Sequence, residues 1–136
     1  MPERPFVRTF NSIVYPMQCD AMGHMTVQFY VAAVDQAMWT LVYHLGWRPV
    51  PDAKSRGFAD VEHVIRYRAE LLVGAPYFIE SRATTCGRSS LITEHRMVDL
   101  VSGALAAEFT LTSVHFDLVN RKSIPFDDDF RDGIMT

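Results

Sequence analysis

Residues 15–45 read YPMQCDAMGHMTVQFYVAAVDQAMWTLVYHL, and the change of period inside this stretch decides the fold. Up to Tyr15 the chain reads as extended. Pro16, which lacks an N–H and so cannot donate to a sheet ladder, should end that strand. A short polar turn follows, holding Cys19, Asp20, Gly23 and His24. From Gln28 the apolar residues Tyr30, Val31, Val34, Ala37, Met38, Leu41, Val42 and Leu45 fall at the i, i+3, i+4 spacing of one helical face. Ala32, Ala33 and Trp39 make the opposite side apolar as well, and a helix hydrophobic all round is a buried one. Thr26 stands at the N-cap position, and Gly46, with Pro49 and Pro51 beyond it, forms the stop. An acid and an imidazole just ahead of such a helix either cap it and shape the turn or form an active-site loop.

Outward from this stretch the pattern is strand. Arg8–Tyr15 alternates, with apolar residues on both faces, and predicts an interior strand. Trp47–Gly57 is a Pro-rich and charged connection, the one long irregular loop and hence the expected lid or partner contact. Beyond Phe58 the helical period is gone. Val61, His63, Ile65 and Tyr67 share one face of a strand, Gly74-Ala75-Pro76 is a turn, and Tyr77–Cys86 alternates again. Gly87-Arg88-Ser89-Ser90 reads as a hairpin turn leading to strands Leu91–Val101 and Leu105–Asp117. Asn120-Arg121-Lys122 is a polar turn, and Phe126–Arg131 a short acidic helix. The order is strand, long helix, then four antiparallel strands: an α+β layer arrangement, a single domain over residues 1–136. One sheet face cannot cover the helix all round, so strong sheet curvature or a second subunit is expected to do so.

Composition narrows the function classes. A formal net charge of −3 with interspersed signs lacks the basic run of a nucleic-acid partner. The longest charge-free apolar tract, Gln36–Trp47, is too short to span a bilayer, which takes about 20 residues. Met1–Pro5 has no apolar region behind it of the kind a signal peptide carries. Cys19 and Cys86 stand far apart, in no metal or redox spacing. A reducing compartment, by default the cytoplasm, is expected, with no membrane association. His63, His95 and His115 lack ligand spacing, so no metal is expected. No G-x-S-x-G elbow and no phosphate-loop glycine pattern is present.

Asp20-Ala21-Met22-Gly23-His24-Met25, leading into Phe29-Tyr30, resembles the D-x-x-G-H-[VM]-N-N-x-x-Y signature of hot-dog-fold acyl-CoA thioesterases of the 4-hydroxybenzoyl-CoA thioesterase-like group. Ile65-Arg66-Tyr67-Arg68, Gly74, the Gly87–Ser90 turn and the Arg121–Pro125 ending fit the same layout, so the resemblance runs from Val7 to Pro125. Thr26-Val27 replaces the usual Asn pair, and the acid within the helix is Asp35 where many relatives have Glu. The resemblance implies a curved antiparallel sheet wrapped around the helix. It also implies homodimers joined at their sheet edges and assembling into homotetramers, with acyl-CoA sites at the interface.

The chemistry implied is hydrolysis of a small or aromatic acyl-CoA thioester, with coenzyme A carried by the substrate and no separate cofactor. Asp20 is the expected nucleophile or general base, and His24 its support. Exposed amides at the helix start, between Gly23 and Gln28, are the expected oxyanion hole. Gly23, Met25, Thr26, Tyr30 and Asp35 are the expected substrate contacts. Asp35, on an otherwise apolar helix, calls for a partner across the sheet. Arg88, Ser89, Ser90, Arg121 and Lys122 are the expected phosphate contacts, while Arg66 and Arg68 are expected to pair instead with Glu62 or Glu80 across strands. Two other readings remain open. One is a hydratase or dehydratase of acyl thioesters, against which Gly23 and the short Asp20–His24 spacing argue. The other is a non-catalytic acyl-CoA-binding protein, for which the missing Asn pair argues.

Overall fold

The computed structural model describes residues 3–49 and 55–135. In chain order it has β1 (Val7–Ile13), a 3-10 turn (Pro16–Gln18), α1 (Val27–His44), β2 (Arg56–Tyr67), β3 (Pro76–Cys86), β4 (Ser90–Asp99), β5 (Leu105–Asp117), β6 (Lys122–Ser123) and α2 (Asp128–Met135). The strands form one antiparallel sheet in the order β1-β3-β4-β5-β2, with β6 paired to the end of β5. Arg8–Tyr15 was expected in the sheet interior, yet β1 is an edge and stops at Ile13. Ile13 pairs with Pro76, the first residue of β3, and beyond it Val14 bonds to the Gly74-Ala75 turn, at 3.0 Å to the Ala75 carbonyl and 2.7 Å from the Gly74 N–H, before Pro16 interrupts the ladder. The expected Phe126–Arg131 helix lies instead at Asp128–Met135, anchored by Ile134. Part of the expected lid, residues 50–54, lies outside the described residues.

Alternation on β3, β4 and β5 turns one sheet face toward α1. Ile79, Ser81 and Ala83 of β3, Leu91, Thr93, His95 and Met97 of β4, and Phe109, Leu111 and Ser113 of β5 are all buried. The helix meets them with Tyr30, Ala33, Val34, Ala37, Met38, Leu41 and Val42. The core is two apolar clusters along α1. One surrounds Tyr30, Val34, Leu71, Tyr77 and Phe109; the other surrounds Leu41, Trp47, Leu91 and Phe126. Between them runs a polar belt. Thr9 Oγ1 lies 2.7 Å from Ser81 Oγ, Ser81 Oγ 2.6 Å from His95 Nδ1, and His95 Nε2 2.8 Å from Thr93 Oγ1.

The other sheet face is a lattice of charge: Arg96 with Glu80, Arg82 with Glu94 at 3.4 Å, and Arg68 with Glu108 at 2.9 Å. Arg68 thus pairs with β5 rather than with Glu62 or Glu80. The helix is covered on one side only. Trp39 remains 49% exposed and Tyr43 62%, so the all-round burial expected for α1 is not completed within this chain. A bulge between Asp60 and Glu62 displaces Val61, which is 60% exposed, and leaves His63, Ile65 and Tyr67 on the helix side, opposite Leu111, Phe109 and Ala107.

Candidate active site

The loop ahead of α1 is built by its own backbone. The Asp20 N–H donates to the His24 carbonyl at 3.0 Å, and the Gly23 N–H returns a bond to the Asp20 carbonyl at 3.1 Å. Closing so tight a turn requires a left-handed residue, and Gly23 has φ 81°. The loop is fixed to the segment before β3: the Met25 N–H donates to Leu71 O at 2.9 Å and the Val73 N–H to Gly23 O at 3.1 Å. The chain reversal of 20–24 and the strand-like bridge of His24 to Leu72 hold Asp20 at the start of the helix.

Asp20 is exposed, and its two oxygens differ. Oδ1 accepts from the Met22 N–H at 2.9 Å and the His24 N–H at 3.3 Å, an anchor typical of an Asx turn. Oδ2 has no partner among the described residues. His24 Nε2 lies 3.2 Å from Glu70 Oε2. Tyr30 is buried beneath the loop, edge-on to Tyr67 with ring centroids 5.0 Å apart. Burial pushes the Tyr30 phenol above its ordinary range, a hydrogen bond with the Leu71 backbone opposing, so the ring is a neutral wall at physiological pH. An open cleft of about 340 Å³ results, lined by Asp20, His24, Met25, Val27, Tyr30, Tyr67, Arg68, Ala69 and Glu70.

The amides at the helix start are fewer than expected. Those of Gly23, His24, Met25 and Thr26 are already engaged, the last with Gln18 O at 2.9 Å. Val27 and Gln28, the first two helical residues, keep N–H groups with no acceptor among the described residues. Thr26 occupies the N-cap position with an extended backbone, but its hydroxyl makes no cap bond: Oγ1 is buried with no partner among the described residues. Asp35 differs from expectation too. It is exposed and has no ion pair or hydrogen bond among the described residues, because it lies on the uncovered side of α1 with Trp39.

Asp20, Gly23, His24, Met25, Thr26 and Tyr30 are therefore brought together, and Arg88, Ser89, Ser90, Arg121 and Lys122 are not. The latter lie at the opposite end of the sheet, past the far end of β3, whose 11 residues span roughly 33 Å at about 3.3 Å each. There the Ser89 carbonyl accepts from the His115 N–H at 2.7 Å and the Arg88 carbonyl from the Phe126 N–H at 2.8 Å. Arg121 presents its side chain from a left-handed backbone, φ 58°. Glu70 escapes sequence reasoning, because its role comes from a contact with a residue 46 positions away and nothing in the local pattern Ala69-Glu70-Leu71 marks it. Among the described residues no group of three or more His, Cys, Asp or Glu is placed to hold a metal, and no helix is long and apolar enough to cross a membrane.

A curved antiparallel sheet around one long helix is the hot-dog architecture. The chain belongs to the thioesterase-like superfamily, whose family model matches residues 14–134. Three solved structures are similar at the level of fold. A Staphylococcus aureus protein solved in complex with CoA has 16% identity and a TM-score of 0.85, with 99% of this chain and 84% of that one covered. A gentisyl-coenzyme A thioesterase has 22% identity and a TM-score of 0.80, with 92% and 98% covered. A 1,4-dihydroxy-2-naphthoyl-CoA thioesterase from Synechocystis has 15% identity and a TM-score of 0.78, with 93% of each chain covered. A search of curated protein sequences returns no significant match.

Proposed function

We propose that the protein hydrolyses a small or aromatic acyl-CoA thioester to the free acid and coenzyme A, with Asp20 at the reacting centre. The observation that carries this reading is the division of labour in one carboxylate lining the cleft: Oδ1 is held by two backbone amides while Oδ2 has no partner among the described residues. A carboxylate oriented in this way either attacks the thioester carbonyl directly or takes the proton from an attacking water. The negative charge developing on the carbonyl oxygen would meet the unspent Val27 and Gln28 amides and the positive end of the helix dipole. Collapse of the tetrahedral adduct breaks the C–S bond, and the sulfur leaves as thiolate and is protonated. On the water route the acid and the thiol form directly; on the direct route water then hydrolyses the mixed anhydride and regenerates the Asp20 carboxylate. His24, tied to Glu70, orients the loop.

The phosphates of coenzyme A need cations, and Arg88, Arg121 and Lys122 lie at the far end of the same sheet. A second copy resolves this. β2 is a 12-residue edge strand with Val61, Val64 and Tyr67 exposed, and exposed edges of this kind invite pairing. Two β2 strands pairing antiparallel about a two-fold axis turn one sheet end for end. The partner's cationic end is then on the side of this chain's Asp20 loop. A homodimer with sites at its interface, further assembled into a homotetramer, is the assembly this favours.

The test is release of free CoA, read with a thiol reagent, over short, long, branched and aromatic acyl-CoAs. Wild type should turn over at least one class, and Asp20→Asn should lower kcat by about 10²–10⁴-fold. Equal release by both proteins would remove Asp20 from the mechanism. Water addition to an enoyl-CoA without thiol release would establish a hydratase instead, and binding with neither reaction a carrier.

A further inference from the structure

Across β3, β4 and β5 the outer face of the sheet pairs its charges within the chain: Arg96 with Glu80, Arg82 with Glu94, and Arg68 with Glu108. The edge strand β2 does not. Its ladder to β5 is regular from Glu62 to Tyr67, with Glu62, Val64 and Arg66 opposite Thr112, Thr110 and Glu108. Val64 and Arg66 line a groove of about 340 Å³ on the outer face, together with Glu94, Arg96, Glu108 and Thr110. Glu108 is the acid nearest Arg66 along the ladder, but its Oε2 accepts two bonds from Arg68, at 3.0 and 2.9 Å. Arg66 and Glu62 are both exposed, and neither has an ion pair or hydrogen bond among the described residues.

The two left-over charges are placed symmetrically, Glu62 and Arg66 each two residues from Val64, which is 40% exposed. A second copy that adds its β2 antiparallel about a two-fold axis presents the same sequence reversed. Directly opposite residues share a sheet face, and a two-fold perpendicular to the sheet keeps every residue on its own face. The axis therefore passes beside one residue, never between two. An axis at Glu62 or Arg66 sets like charges face to face, and one at Val61 or Tyr67 sets Glu62 against Asp60 or Arg66 against Arg68. At His63 or Ile65 it sets Val64 against a charge. Only an axis at Val64 gives both charges an opposite one. We propose that two copies join with Val64 facing the partner's Val64, Glu62 facing the partner's Arg66, and Arg66 facing the partner's Glu62. Each cross-strand pair supplies the counter-charge that the single chain lacks. This register rests on the β2 pairing argued above and is independent of the reaction assigned to Asp20. It brings Tyr67, a wall of the Asp20 cleft, beside the partner's Val61.

The test is a charge swap read by sedimentation equilibrium. Glu62→Arg or Arg66→Glu alone turns both ion pairs of the dimer into like-charge contacts and should raise the dimer dissociation constant about tenfold or more. The double variant Glu62→Arg/Arg66→Glu rebuilds both pairs and should return to within about threefold of wild type. Within one chain the two positions are four residues apart, roughly 13 Å at about 3.3 Å each, so rescue reports contact between chains. As an independent measurement, Val64→Cys on a Cys19→Ser background should form an intermolecular disulfide under mild oxidation. Glu62→Cys on the same background should not, because only position 64 faces itself. A double variant no tighter than either single, or rescue of Glu62→Arg by Arg68→Glu in place of Arg66→Glu, overturns the register and leaves the β2 pairing standing. So does a Glu62→Cys that crosslinks more readily than Val64→Cys. A wild-type protein that stays monomeric overturns both.

Discussion

A threonine at a helix N-cap is normally worth about 1 kcal/mol through its side-chain bond to the helix amides. Thr26 forgoes that bond, leaving a buried hydroxyl without a partner next to the Val27 and Gln28 amides. The isosteric change Thr26→Val removes the unpaired oxygen while keeping the shape. It is therefore expected to be at least as stable as wild type, and up to about 1 kcal/mol more stable, in urea unfolding. A loss of more than about 1 kcal/mol would mean that the hydroxyl is bonded after all. If the same variant also turns over acyl-CoA more slowly, the hydroxyl serves the substrate rather than the fold. Asp20 shows the complementary economy: one oxygen shapes the loop and the other is left for chemistry.

The elements divide by what they bury. Leu41 is 1% exposed, packed in the cluster around Trp47 and Leu91, so Leu41→Ala should cost about 2–5 kcal/mol. Val27, exposed on the same helix, should cost less than about 0.5 kcal/mol on the same change, both read by chemical denaturation. The polar belt beneath α1 adds a pH dependence. Burial lowers the His95 pKa to about 3, with the nearby His63 contributing, against 6.5 for an ordinary imidazole. The folded protein therefore keeps His95 neutral at pH values where the unfolded chain binds a proton. Stability contributed by this group is complete above about pH 6.5 and falls as the pH drops toward about 3, by at most about 1.4 kcal/mol per pH unit. His95→Gln retains an acceptor and a donor for Ser81 and Thr93. It should reduce the slope of stability against pH in that window by about one proton, and an unchanged slope would place the titration elsewhere.

At the scale of the whole molecule, two surfaces are unfinished in a single chain: the exposed β2 edge and the uncovered side of α1 carrying Asp35, Trp39 and Tyr43. Both are explained by the two-fold pairing proposed above. Val61 projects from the bulge of β2 and packs against little in its own chain. Val61→Lys should leave the fold of the protomer intact while weakening self-association about tenfold or more, seen by sedimentation equilibrium as a shift toward monomer. Acyl-CoA turnover per chain should fall with it, because in the pairing proposed above the cationic end of the partner's sheet reaches the Asp20 loop across that edge.

Local physics made much of this legible in residue order. The helix period from Gln28, the alternation on β3 to β5 and the glycine-dependent turn ahead of α1 are short-range signals, and they located the elements to within a few positions. The grouping of Asp20, Gly23, His24, Met25, Thr26 and Tyr30 was legible for the same reason, since all lie within 11 consecutive residues. What followed from long-range placement was not. The edge position of β1 depends on where β3 begins, the pairing of His24 with Glu70 on a contact across the fold, and the exposure of Asp35 on which side of α1 the sheet covers. The separation of Arg88, Arg121 and Lys122 from Asp20 depends on strand direction, which reverses with every hairpin and leaves no mark in composition. Residue order alone specifies the helix, the strands and the acid-bearing loop, because each is written in neighbouring residues. Which amides remain free, which faces stay uncovered and which charges stand apart emerge with folding, because those depend on what the folded chain brings alongside.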